Sequence, residues 1–123
     1  MEAIKLRKCS VCGAIVKVVE NKNNSNFICC GKEMEDIIPN SVDASFERHI
    51  PEIHIEDGEM YIRVNHVMEE NHYIEWILVK TENGMKEFFF KPGDICELHL
   101  PYTGRALVYS YCNLHGLWKK EVE

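Results

Sequence analysis

From Glu52 onward the chain alternates apolar and polar residues in short runs. Seven stretches read as strands: Glu52–Ile55, Met60–Val64, His72–Lys80, Met85–Lys91, Ile95–Leu100, Arg105–Tyr111 and Leu117–Val122. Each is rich in β-branched and aromatic residues, which suit a pleated, half-buried surface. Turn residues separate them: Glu56-Asp57-Gly58, the Asn-Gly hairpin signal in Thr81-Glu82-Asn83-Gly84, Pro92-Gly93-Asp94 and Tyr102-Thr103-Gly104. No long helical period appears, and no internal repeat. The pattern predicts a mainly β protein, an immunoglobulin-like antiparallel β-sandwich.

The first third reads differently. Its apolar residues are few and scattered (Ile15, Val16, Val18, Val19, Phe27, Ile28), and the polar stretch 21–26 interrupts them. Such a segment cannot build a core alone and needs a metal or a partner subunit to fold. Pro39-Asn40-Ser41 reads as a linker. The expected division is a small metal module over residues 1–37 and the sandwich over 38–123. With so little apolar surface of its own, the small module is expected to pair with its twin, giving a homodimer.

Composition narrows the function. The chain has 123 residues, 46% of them hydrophobic, with a formal charge of −6. The sequence pI is near 5.5. An acidic chain is a poor match for nucleic acid, whose binders are usually basic. No apolar run approaches the roughly 20 residues that span a bilayer. The mixed-charge stretch Met1–Lys8 lacks the apolar core of a secretion signal, so the cytoplasm is the expected location.

Six cysteines could form disulfides, but four lie between positions 9 and 30, and such clustering in a reducing compartment favours metal. Cys9-x-x-Cys12 and Cys29-Cys30 supply four thiolates. Gly13 and Gly31 follow the two knuckles and let backbone amides turn toward the sulfurs. Four thiolates suit zinc or a single iron. A zinc ribbon is the competing reading, although ribbons generally repeat the two-residue gap that Cys29-Cys30 lacks. A vicinal disulfide is a further alternative.

The second cluster is nitrogen-rich. Cys112 and His115 bracket a tight turn, and His49, His54, His66 and His72 lie upstream. One thiolate with several neutral imidazoles suits a single redox-active iron. His66 and His72 are separated by a polar loop and can converge on one ion. Any histidine taken alone is more often a surface residue. His54 and His99 fall within strand candidates and read as structural or surface residues. Cys96 reads as a buried, unliganded thiol, and Trp76 and Trp118 as core or site-wall residues.

Three segments together carry a family resemblance: Glu47-Arg48-His49-Ile50-Pro51, His66-x-Met68 with Tyr73-Ile74-Glu75-Trp76-Ile77, and Cys112-Asn113-Leu114-His115-Gly116-Leu117-Trp118. These are similar to the motifs of superoxide reductases. The vicinal-cysteine head resembles desulforedoxin, a small rubredoxin-like iron module, so the whole chain resembles the two-iron desulfoferrodoxin family. The resemblance implies a mononuclear iron on Cys9, Cys12, Cys29 and Cys30. It also implies a second iron with four equatorial imidazoles from His49, His66, His72 and His115. Cys112 would be its axial ligand, opposite an open position. The implied reaction is reduction of superoxide to hydrogen peroxide, with electrons from rubredoxin or a similar donor. Arg48 would guide the anion, and Glu47 would ligate the oxidised iron. Two positions depart from the family pattern: Arg48 stands where lysine is usual, and Val67 where proline is frequent. A non-catalytic two-iron electron carrier is the alternative.

Overall fold

The computed structural model describes residues 1–42 and 49–123. They form two compact units, Glu2–Ile38 and Pro39–Glu123. No helical segment occurs among the described residues.

The described residues of the smaller unit form five very short strands: β1 (Leu6–Lys8), β2 (Ile15–Lys17), β3 (Ile28–Cys29), β4 (Lys32–Glu33) and β5 (Glu35–Asp36). β1 lies between β2 and β5, and β3 and β4 make a separate hairpin. Leu6, Cys9 and Met34 are its buried apolar side chains among the described residues. That is too little apolar burial to hold such strands, and the cysteine knuckles take over the role. Cys29 pairs with Lys32, leaving Cys30 and Gly31 as a two-residue turn. Both have positive φ, 53° and 75°, the signature of a type I′ hairpin turn. Glycine adopts that conformation freely, whereas Cys30 does so against the clash of its own Cβ.

The described residues of the larger unit form a seven-strand sandwich. Its strands are β6 (Glu52–Glu56), β7 (Glu59–Arg63), β8 (Ile74–Thr81), β9 (Gly84–Phe89), β10 (Glu97–Pro101), β11 (Ala106–Cys112) and β12 (Gly116–Val122). One sheet has the order β10-β7-β6 and the other β12-β11-β8-β9, and every pairing is antiparallel. This is the immunoglobulin-like architecture that the alternation predicts, with β9 lying beside β8. Inward residues of both sheets form the core. Met60, Ile62 and Val64 from the first sheet side meet Ile77, Val79, Ala106, Val108 and Cys112 from the second.

Two local features depart from simple expectation. The β8–β9 turn consists of Glu82 and Asn83, since Thr81 pairs with Gly84. Gly84 is therefore the first residue of β9, with φ of 144°, so the Asn-Gly pair does not make the type I′ turn that its residues suggest. The second feature is a bulge. Tyr111 pairs with Trp76, but Cys112 pairs with Ile74, so Glu75 is the extra residue on β8. Strict alternation back from Ile77 would point Glu75 into the core. The bulge instead places Ile74 there, fully buried, and spares the burial of a carboxylate.

Cys96 is buried, and burial pushes its thiol up to about 12. The thiolate is the reactive form. A thiol reagent at pH 8 should leave Cys96 unmodified in the native protein and modify it fully after denaturation. Mass spectrometry of the labelled chain checks this, and native labelling of Cys96 would show that the core is open.

Candidate metal centres

In the smaller unit, Cys9, Cys12, Cys29 and Cys30 bring their sulfurs together, all within 4.8 Å of one another. Cys12 Sγ lies 3.6 Å from Cys29 Sγ, and Cys29 Sγ lies 4.0 Å from Cys30 Sγ. A tetrahedron with metal–sulfur bonds of about 2.3 Å has edges of about 3.8 Å, so these spacings suit one ion held by four thiolates. All four cysteines are free, so Cys29 and Cys30 form no vicinal disulfide.

The electrostatics also favour a cation. The amide N–H groups of Cys12 and Val11 donate to Cys9 Sγ at 3.5 and 3.4 Å, and they pull its thiol down to about 6. The neighbouring sulfurs of Cys12 and Cys9 push Cys29 up to about 12, and Cys12 likewise raises Cys30. One thiolate forms readily here, and each further one is opposed by those already present. A bound cation removes that opposition.

The second cluster lies in the sandwich. His66 and His72 sit in the connection from β7 to β8, Cys112 and His115 flank the β11–β12 turn, and His49 precedes β6. Register places these stretches at one end of the sandwich, because Glu52 pairs with Arg63, Cys112 pairs with Ile74, and Cys112 also pairs with Gly116. One donor atom from each of the five residues lies within 4.8 Å of all the others.

The arrangement is a crowd of lone pairs. His49 Nε2 is 3.2 Å from both His66 Nε2 and His115 Nδ1. Cys112 Sγ is 3.5 Å from His66 Nε2 and 3.7 Å from His115 Nδ1. His66 Nδ1 faces the Val67 carbonyl. A carbonyl only accepts, so Nδ1 carries the ring proton and Nε2 of the neutral ring is bare. Burial holds His66 down to about 4, and the other three imidazoles add to the effect, so the ring is neutral at physiological pH. His72 Nε2 is buried without a hydrogen-bond partner, a costly state unless something else occupies its lone pair. Burial raises the Cys112 thiol, while the amides of Leu114 and His115 favour its thiolate. Four imidazole nitrogens and one sulfur aimed inward, with too few protons to share, fit a transition-metal ion.

Surrounding residues hold these donors in place. The indole of Trp118 stacks on His49, with centroids 4.8 Å apart and an interplanar angle of 22°. Asn113 clamps the His72 loop to the Cys112 turn. Its Oδ1 accepts the Tyr73 amide, its Nδ2 donates to the Asn71 carbonyl, each at 3.0 Å, and its own amide donates to the Tyr73 carbonyl. Sequence reading missed that role, although Asn113 stands inside the motif, because the clamp links positions 40 residues apart. Trp76 stacks on Tyr111, not on a donor. His54 and His99 lie outside the cluster, flanking Tyr61 on the outer face of the three-stranded sheet. Glu47 and Arg48 fall outside the described residues.

Together these features define a metalloprotein class: an all-strand chain with one four-sulfur centre and one nitrogen-rich centre completed by a single sulfur. Comparison with known proteins agrees. Residues 2–37 match the family model described as desulfoferrodoxin, N-terminal domain, and residues 41–121 match that described as desulfoferrodoxin. The desulfoferrodoxin of Desulfarculus baarsii is 38% identical over 98% of each chain. That of Nitratidesulfovibrio vulgaris is 34% identical over 95% of each. Among solved structures, the superoxide reductase from Treponema pallidum shares the fold over 97% of this chain and 99% of its own, with a TM-score of 0.74 and 23% identity. The superoxide reductase from Giardia intestinalis covers 63% of this chain and 98% of its own, with a TM-score of 0.53 and 28% identity. The chain belongs to the desulfoferrodoxin family, and its two donor sets fit that family's two iron sites.

If Asn113 is the clamp, Asn113→Ala should leave the Tyr73 amide without its acceptor. Amide exchange at Tyr73 should then accelerate by about tenfold or more, the scale of one lost hydrogen bond. Hydrogen-exchange mass spectrometry or NMR checks this, and an unchanged rate at Tyr73 would remove Asn113 from the account.

Proposed function

We propose that this protein is a superoxide reductase, converting superoxide to hydrogen peroxide at the nitrogen-rich centre. The observation that carries this reading is the convergence of His49, His66, His72, His115 and Cys112 on one point, in a chain of this family. Solved relatives named superoxide reductases support it. Iron bound there would supply the single electron that the anion must receive, with two protons completing the product.

The chain's own groups set the conditions. His49, His66, His72 and His115 are the proposed nitrogen ligands, and Cys112 the sulfur ligand. Neutral imidazoles contribute no charge, so one thiolate leaves a divalent ion with net positive charge, which favours an anionic substrate. The buried Cys112 sulfur would donate electron density to an ion held there. Arg48 is the proposed guide for the incoming anion. Its guanidinium stays charged at all working pH values and is too weak an acid to give up a proton, so water supplies both protons. Glu47 is the proposed ligand of the oxidised centre, since a hard carboxylate prefers ferric to ferrous iron.

The two units take separate parts in this reading. Residues 1–37 form a four-cysteine iron module that is chiefly structural, and residues 38–123 form the catalytic domain. Rubredoxin or a similar small protein is the proposed donor. Exposed Val11, Val19 and Ile28 on the small module support a homodimer, since apolar surface of this kind favours a partner. Six free cysteines support a reducing, cytoplasmic location. Among the described residues no helix is long and apolar enough to cross a membrane.

Anaerobic rapid mixing of the reduced protein with superoxide tests the reading. One peroxide should form per nitrogen-rich centre oxidised, with a thiolate-to-iron absorption band appearing as it does. Oxidation without peroxide would reject the activity. Arg48→Ala should slow the second-order step and flatten its dependence on ionic strength. An unchanged rate would reject the guiding role. Glu47→Ala should alter the spectrum of the oxidised centre and its pH dependence; a spectrum identical to wild type at every pH would remove Glu47 from the site.

A further inference from the structure

Ser110 is the polar exception on the inward face of β11. Period-two alternation puts it in line with Ala106, Val108 and Cys112, all members of the apolar core. It is fully buried. Its Oγ donates a 2.7 Å hydrogen bond to the main-chain carbonyl of His49, 61 positions away in sequence. Its register partner on β12 is Trp118, the residue whose indole stacks on the His49 ring. Neighbouring residues on two paired strands thus grip the same histidine, one by its main chain and the other by its ring.

His49 needs such a grip. His66 and His72 share one connection, which Asn113 ties to the turn holding Cys112 and His115. His49 enters from a different stretch and belongs to no strand. Its ring must nonetheless place Nε2 at 3.2 Å from two other donor nitrogens.

We propose that Ser110 is a positioning residue for the nitrogen-rich centre: its hydroxyl fixes the His49 main chain on β11, two positions from Cys112 on the same strand face. The strand then acts as a ruler. Residues two apart on one face are separated by about 6.8 Å, so the sulfur ligand and the anchor of the nitrogen ligand keep a constant spacing. The proposal rests on the reading of His49 as a ligand.

The test uses iron-loaded protein carrying Ser110→Ala, Ser110→Thr or Ser110→Val, challenged with a chelator. Iron retained at each centre is followed by its absorption, and the midpoint potential of the nitrogen-rich centre is measured. Threonine and valine have nearly equal volume and differ by the hydroxyl, so their comparison isolates the hydrogen bond even if the alanine variant folds poorly. The alanine and valine variants should release iron from the nitrogen-rich centre roughly 10–100 times more readily, with a shifted thiolate band and potential. The threonine variant should resemble wild type, and the four-cysteine centre should be unchanged in all three. Valine indistinguishable from threonine, or alanine with wild-type retention and potential, would overturn the proposal. His49→Ala serves as a separate control. If that variant keeps its iron as tightly as wild type, the ligand reading has failed, and Ser110 has nothing to position.

Discussion

The structure depends on like groups held together against their own repulsion. Nine sulfur and nitrogen donors form two clusters, and within each cluster they lie a few ångströms apart. Lone pairs facing lone pairs are unfavourable in water and more so where burial removes water's screening. The raised thiols of Cys29 and Cys30 register this cost, and at His66 the other three imidazoles add to the effect of burial. In the smaller unit the cost is not offset by a core, because its buried apolar side chains are few. Iron held by the four thiolates would there supply folding energy that the small core lacks, as in small metal modules generally. In the larger unit the sandwich supplies stability of its own, and the clustered donors are a load that the core supports.

Support of this kind comes from where the strands end. The β7–β8 connection, the β11–β12 turn and the stretch before β6 converge at one end of two packed sheets. The rigid strands fix the starting points of these segments, and function sits in the connections. The Glu75 bulge belongs to the same arrangement. It resets the phase of β8 just after the His72 loop, so that Ile74 pairs with Cys112 and joins it in the core. Asn113 then joins the loop to the turn.

Much of this was legible in the residues themselves. Alternation and turn residues located all seven sandwich strands, since each runs five residues or more and packs one face inward. Other features were not legible. The bulge at Glu75 shows only in the pairing, and the Asn83-Gly84 signal marked the right hairpin with the wrong turn geometry. The five strands of the smaller unit are two or three residues long, too short to display a period. They are fixed by the knuckles and by the left-handed Cys30-Gly31 turn. Cys9, Cys12, Cys29 and Cys30 were readable from spacing. His54 could be set aside because it falls within a strand, but His49 was identified as a donor only through the family motif, because alternation carries no information about which loop closes over which.

Cys96 and Cys112 show why burial alone does not make a ligand. Both are buried in the same apolar core, and burial raises both thiols. Around Cys96, the nearby carboxylates of Glu97 and Asp94 raise the thiol further, and a single amide, that of Val64, opposes them. For Cys112 a carboxylate, that of Glu75, also raises the thiol, but two amides, those of Leu114 and His115, oppose the effect of burial, and two imidazole nitrogens lie within 3.7 Å. One strand, β11, ends in a turn that supplies both amides and one of those imidazoles. The Asn113-Leu114-His115 turn therefore does two things at once: it lowers the cost of the thiolate and brings in the ligand beside it. A cysteine three residues before a histidine across such a turn carries that chemistry in its spacing, and a cysteine buried mid-core does not.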